Sequence, residues 1–239
     1  MPVLNHIAED IAYKLGDQFN ETLRESIKLT LLYYRSTYLK RDLEKNSNSL
    51  SYLHYVQRFT LDLEKVDKLK DFNIKMCGVN PECLSFLEDE DKYILKTKEK
   101  IPLPIRTKDS NKSGFLYTGN AVGNKPYIFS MLSEVDYKKD LPYRNKDIFW
   151  TTINKYGYIL NALDICEITF EGVIEDPTIV YNFCKEGKFK DDNEFAISLD
   201  MMQSISNNIV KGEYPLLTTD GKEVNIEKDS DTNNRSNGR

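Results

Sequence analysis

Through the first third of the chain, apolar residues recur at helical spacing. Val3, Leu4, Ile7, Ile11 and Leu15 step by three and four. Gly16 follows where a left-handed residue would end that helix. A longer helix is expected from Phe19 to Leu43, with Phe19, Leu23, Ile27, Leu31, Tyr34 and Tyr38 on one stripe. Beyond the polar break at Asn46–Ser49, a third helix is expected from Leu50 to Leu69, carrying Tyr52, Val56, Phe59, Leu63 and Val66 on one face. Charges fall opposite these stripes, so the three helices are expected to pack as a bundle. Tyr33 and Tyr55 lie off the stripes, as apolar surface that one bundle would leave exposed.

The period then changes. Tyr93–Thr97, Phe115–Thr118, Tyr127–Met131, Ile148–Ile153, Gly157–Leu160 and Cys166–Val173 read as short strands, separated by turn signals such as Pro102, Pro104, Gly114, Gly119, Gly123, Pro126 and Pro142. Helix returns at Asp176-Pro177, an N-cap with proline at the first helical position. Ser198 caps a further helix that ends at Gly212. From Thr218 onward almost nothing is apolar, and such a tail cannot offset its own ordering entropy. The expected fold class is α+β: a helical bundle interrupted by a small antiparallel β domain, with a polar C-terminal tail. The expected parts are residues 1–91 (helical), 92–175 (β-rich), 176–215 (helices packing back on the first part) and 216–239 (flexible or ordered by a partner).

Composition narrows the function. With 33 Lys+Arg against 38 Asp+Glu, the net charge of -5 argues against a coat for nucleic acid or anionic membrane. No apolar run approaches the ~20 residues of a membrane span. The N-terminus lacks a signal peptide's basic and apolar regions, so a soluble protein retained where it is made is expected. Cys77, Cys83, Cys166 and Cys184 form no C-x-x-C pair, which favours reduced thiols over a zinc site. The 15 Tyr suit surfaces that are buried on assembly, because each ring joins an apolar face to a polar tip.

The motifs that could carry chemistry fail on mechanics. Gly119-Asn-Ala-Val-Gly123-Asn-Lys125 has three residues between its glycines and leads through Pro126 into a strand, so it reads as a loop, not a phosphate cradle. Glu171, Glu175 and Asp176, with Asp136 and Asp140, could suggest a carboxylate metal nuclease. Glu175 and Asp176 are better explained by a helix N-terminus. His6 and His54 have no nucleophile at a recognised spacing. The expectation is a non-enzyme with no catalytic, metal or cofactor site.

Charge segregation says more. Glu82, Glu88, Asp89, Glu90 and Asp91 form an acidic run, followed by Lys92, Lys96, Lys98, Lys100, Arg106, Lys108 and Lys112 against only Glu99 and Asp109. Such faces can meet across a head-to-tail subunit contact and fix its register. The candidate interface residues are therefore Tyr33, Tyr55, Lys92, Lys96, Lys98, Lys100, Glu88 and Asp89.

One ordered series of features is more specific. It runs Thr97-Lys-Glu-Lys-Ile-Pro-Leu-Pro-Ile-Arg106, Gly114-Phe-Leu-Tyr-Thr-Gly119, Pro126-Tyr-Ile-Phe, Tyr143-Arg-Asn and Phe170-Glu-Gly-Val-Ile-Glu-Asp-Pro177. It closes with Phe195-Ala-Ile-Ser-Leu-Asp200 before a helix ending Gly212-Glu213. Over residues 1–215 this resembles the neck ring proteins of crAss-like bacteriophages, part of the head-to-tail connector. The resemblance implies a structural subunit of the virion, made in the bacterial host cytoplasm. It implies a homo-oligomeric ring, a dodecamer, that joins the portal and neighbouring neck or tail rings. DNA would pass the channel non-specifically, without membrane contact. The alternatives are another virion part (a stopper, a tail-side ring or a capsid-associated protein), a metal nuclease or a DNA-binding factor.

Overall fold

The computed structural model describes residues 3–45, 50–67, 71, 93–107, 109–131, 134, 147–183, 187, 189–190, 192–213, 215–217 and 223–224. The chain divides into two compact units, Met1–Tyr38 with Lys190–Arg239, and Leu39–Phe189.

The first unit joins the two ends of the sequence. Helix α1 (Leu4–Lys14) buries Leu4, Ile7, Ala8, Ile11 and Ala12, the face its spacing predicts. Gly16 ends it at φ 88°. The Asp17 N–H reaches the Ala12 carbonyl (3.1 Å) and the Gly16 N–H reaches that of Tyr13 (3.0 Å), so the final orphan carbonyls are satisfied. Helix α2 (Glu21–Lys45) begins after Asn20, whose side-chain oxygen accepts from the Leu23 N–H at 3.0 Å. Phe19 therefore precedes the cap instead of opening the stripe. It is 85% exposed.

Within this unit α2 buries Ile27, Leu31 and Arg35. The Arg35 Nε donates to the Ala196 carbonyl at 2.6 Å, and its guanidinium lies 5.9 Å from the Phe195 ring centroid. Helix α3 (Leu199–Val210) starts at Ser198, whose hydroxyl accepts from the Met201 N–H (3.2 Å), and packs on α1. Gly212, at φ 74°, closes α3 with the same pair of bonds that closes α1. A two-stranded ladder, β9 (Leu216–Leu217) with β10 (Glu223–Val224), follows. The remainder of the expected tail lies outside the described residues.

The second unit departs most from expectation. The segment expected as a third helix is a 3₁₀ turn (Leu50–Tyr55) followed by the twelve-residue strand β1 (Val56–Asp67). A helical bundle is thus not what this chain forms; the architecture is α+β with a curled mixed sheet. Phe59, Leu61 and Leu63 do step by two, with Thr60 and Asp62 between them, and all three are buried. Strand pairing on both edges decides the matter. Val56–Asp62 pairs antiparallel with β8 (Glu167–Ile174), and Leu63–Asp67 with β2 (Tyr93–Thr97).

The sheet order is β3-β8-β1-β2-β7-β6-β5, with β4 (Tyr117–Gly119) also on β8. Here β3 is Pro104–Ile105, β5 Ile128–Phe129, β6 Phe149–Ile153 and β7 Tyr156–Ile159. All pairs are antiparallel except β5 with β6. The curl brings β4 and β5 together: Gly119 bridges Pro126, and the Tyr127 N–H donates to the Thr118 carbonyl at 2.7 Å.

One face holds the core, with Phe59, Leu61, Leu95, Phe115, Trp150, Ile159, Ile168 and Phe170 among its members. Phe170 lies 4.9 Å from Phe115, 5.3 Å from Trp150 and 5.5 Å from Phe59 by ring centroids. Ile94, Phe149, Tyr158 and Leu160 form a second buried cluster. Burial on both faces accounts for the adjacent buried pairs Phe149–Trp150 on β6 and Val173–Ile174 on β8. The helix expected after Pro177 is a short 3₁₀ turn, Ile179–Phe183. Asp176 still works as a cap, accepting from the Thr178 N–H (2.9 Å) and hydroxyl (2.6 Å).

Candidate functional site

Of the eight residues expected at an interface, Glu88, Asp89 and Lys92 lie outside the described residues. Tyr33 is 56% exposed on α2, edge-on to Tyr34 with centroids 5.1 Å apart. Tyr55 ends the 3₁₀ turn, half-buried. The three described lysines differ in setting. Lys98 makes an exposed pair with Asp62 at 3.3 Å, and Lys100 lines an open groove with Leu103, Glu175 and Ile179.

Lys96 is engaged within its own unit. Its Nζ lies 3.0 Å from an Asp71 carboxylate oxygen and 4.7 Å from the centre of the Tyr156 ring. The other oxygen of Asp71 accepts the Tyr158 hydroxyl at 2.5 Å. Strand pairing sets this up, because Lys96 and Tyr158 are direct partners on β2 and β7. Burial, then the bond to Asp71 and its negative charge, push the Tyr158 hydroxyl far above the usual phenol range. A mostly buried pair of this kind mainly fixes local geometry.

The described carboxylates among those that suggested a nuclease have separate roles. Glu175 pairs with Lys40 at 2.5 Å, Asp176 caps its turn, and Asp136 and Asp140 lie outside the described residues. Among the described residues, no three His, Cys, Asp or Glu side chains are grouped to hold a metal ion. None of the described helices is long and apolar enough to cross a membrane.

A concave feature lies where β4 and β5 diverge. They stay paired through Thr118 and Tyr127, then separate as β4 follows β8 and β5 follows β6. The turn that joins them is tightly cross-linked. The Tyr117 hydroxyl contacts the carbonyls of Asn120 (3.1 Å) and Lys125 (3.2 Å), and Arg58 donates to the Ala121 carbonyl at 2.5 Å. A side chain at Gly119 would meet the Lys125 carbonyl at 2.3 Å, so only glycine fits. This confirms the loop reading of Gly119–Lys125.

The gap between the strands is a cavity of about 490 Å³, walled by Leu116, Thr118, Tyr127, Ile128 and Phe129, with Asn111 and Lys112 at its margin. Lys112 pairs with Glu134 at 3.5 Å and is well exposed. Thr118 is 2% exposed, yet its hydroxyl has no hydrogen-bond partner. Burial pushes the Tyr127 phenol up as well. The strand pattern gave no hint of this cavity, because it depends on which neighbours β4 and β5 choose. The arrangement is an apolar socket with the Lys112–Glu134 pair at its margin.

A comparison with individually curated proteins gives no match. The sequence profile of phage tail ring protein 2 matches residues 6–234, nearly the whole chain, and bears out the crAss-like resemblance. The chain belongs to this phage tail ring protein 2 family of crAss-like phages, structural components of the virion that act as an assembled ring.

Proposed function

We propose that the chain is a ring subunit of the head-to-tail connector, with twelve copies encircling the DNA channel between the portal and the tail. The observation that carries this reading is the family match across residues 6–234. Two features support it. The net charge of -5 suits a channel that passes DNA without gripping it. The exposed aromatic surface, Tyr33 included, suits faces that are covered on assembly.

In this reading Tyr33 and Tyr55 bury apolar area between subunits, while the charged segment with Lys98 and Lys100 orients the contact. The family name favours one variant, a ring on the tail side of the connector.

Mass measurement of the full-length chain, alone and with the portal of the same phage, tests the proposal. A twelve-copy ring that binds the portal is expected. A ring that binds tail components and ignores the portal would move it to the tail-side position. A monomer inert to both would overturn the reading. Tyr33→Ala should weaken assembly equally at low and high salt, because burial and not screened charge is lost.

A further inference from the structure

We infer that neighbouring copies join by a knob and a socket: Phe19 of one copy seats in the β4–β5 cavity of the next. The inference rests on the ring reading above and names the contact that builds the ring. Phe19 is 85% exposed, the most exposed large apolar side chain among the described residues. It stands at a defined position, between the bonds that close α1 and the Asn20 cap that opens α2. Asn20 also donates to the Asp17 carboxylate at 2.9 Å, bracing the turn. A fully presented phenyl ring on a braced turn is available as an aromatic anchor for a pocket on another chain.

The cavity between β4 and β5 supplies the complement. Leu116, Tyr127, Ile128 and Phe129 give it apolar walls, and its 490 Å³ accommodates an aromatic side chain with part of its turn.

Charge chooses between possible occupants. The turn residues 15–21 carry Asp17 and Glu21 and no base, whereas residues 111–129 carry Lys112 and Lys125, an excess that Glu134, the partner of Lys112 at 3.5 Å, reduces to one positive charge. An acidic knob therefore meets a basic margin, which favours this docking and disfavours knob against knob. Knob and socket are different surfaces of one chain, so the contact is head-to-tail. Repetition of such a contact closes into a ring when its rotation divides a full turn.

The test places a photoreactive benzoylphenylalanine at position 19 of the full-length chain and irradiates the assembled protein. Cross-links between copies should map to peptides within residues 111–129. Phe19→Ser should raise the subunit dissociation constant about tenfold or more, with the melting temperature of the dissociated subunit unchanged because the phenyl is already solvated there. Lys112→Glu should also weaken assembly, and adding Glu21→Lys to it should restore assembly. If the ring forms but Phe19→Ser leaves it intact, or the cross-links map elsewhere, the knob assignment is wrong and the ring reading stands. If the chain stays monomeric at every concentration, with or without portal, the ring reading falls and this inference with it.

Discussion

The hairpin between β6 and β7 contains a conformational strain that one substitution should relieve. Ile153 pairs with Tyr156, so the turn has only two residues, and both are left-handed: Asn154 at φ 53° and Lys155 at φ 69°. That is the turn type whose twist matches the strands, and its preferred sequence is Asn-Gly. Asn tolerates the conformation; Lys does not, at a cost of roughly 1–2 kcal/mol. Lys155→Gly removes that cost but gives the unfolded chain more freedom, worth about 0.5–1 kcal/mol in the other direction. The strain term is the larger, so a net stabilisation of about 0.5–1 kcal/mol is expected. The backbone bond from the Ile101 N–H to the Lys155 carbonyl (2.7 Å) survives the change.

The control is Lys155→Ala, which removes the same exposed side chain but keeps the strain, and should be close to neutral. Trp150 is the chain's one tryptophan and is fully buried beside Phe170, so its fluorescence during urea unfolding reports on the second unit alone. The midpoint should rise with an unchanged slope, and melting should shift up by about 1–4 °C. If Lys155→Gly is no more stable than Lys155→Ala, the turn is not strained as described.

Three further outcomes are expected. Phe170→Ala should cost the second unit about 3–5 kcal/mol, since it removes a fully buried ring packed on three others, and the same urea titration measures it. Ser198→Ala should cost about 1 kcal/mol through loss of the cap on α3, read as faster amide exchange at the Met201 N–H. Burial raises the phenols of Tyr158, Tyr127 and Tyr117, and a bond to the Asp109 carboxylate raises that of Tyr52, all above the ordinary value of 10.0. The folded state thus holds these protons longer than the unfolded one, so stability is intact below pH 10 and falls as pH rises above it. Absorbance at alkaline pH should show these four ionising above the ordinary tyrosine range; ionisation of all tyrosines together at the ordinary value while the fold persists would contradict it.

What the sequence made legible was local. Gly16, Gly212 and Ser198 end or start helices through bonds spanning five residues or fewer, and each was read correctly. Residues 50–67 failed because two periods coexist there. Tyr52, Val56, Phe59, Leu63 and Val66 keep helical spacing, while Phe59, Leu61 and Leu63 keep strand spacing. The choice is made by β8, more than a hundred residues away in register, which no local window contains. Phe19 does not belong on the helical stripe where its spacing puts it, since Asn20 caps the helix and excludes its predecessor. The socket was not readable, because it exists only where two strands that share a turn part for different neighbours. The contacts of Lys96 were unreadable for a similar reason, as Tyr158 and Asp71 reach it only through the fold.

The division of the chain also sets an order of events during synthesis. The second unit is one continuous stretch, whereas the first is made of residues from both ends, with Val3 bridged to Glu194 and Arg35 bonded to the Ala196 carbonyl. A chain emerging from the ribosome can complete the sheet before its opening helices have their partners. At ~5–20 residues per second, α1 waits on the order of ten seconds or more for α3. During that interval Ile7 and Ile11 lack the surface that later covers them. A nascent or prematurely terminated chain is consequently left with an unfinished first unit, which would keep partial products out of the virion.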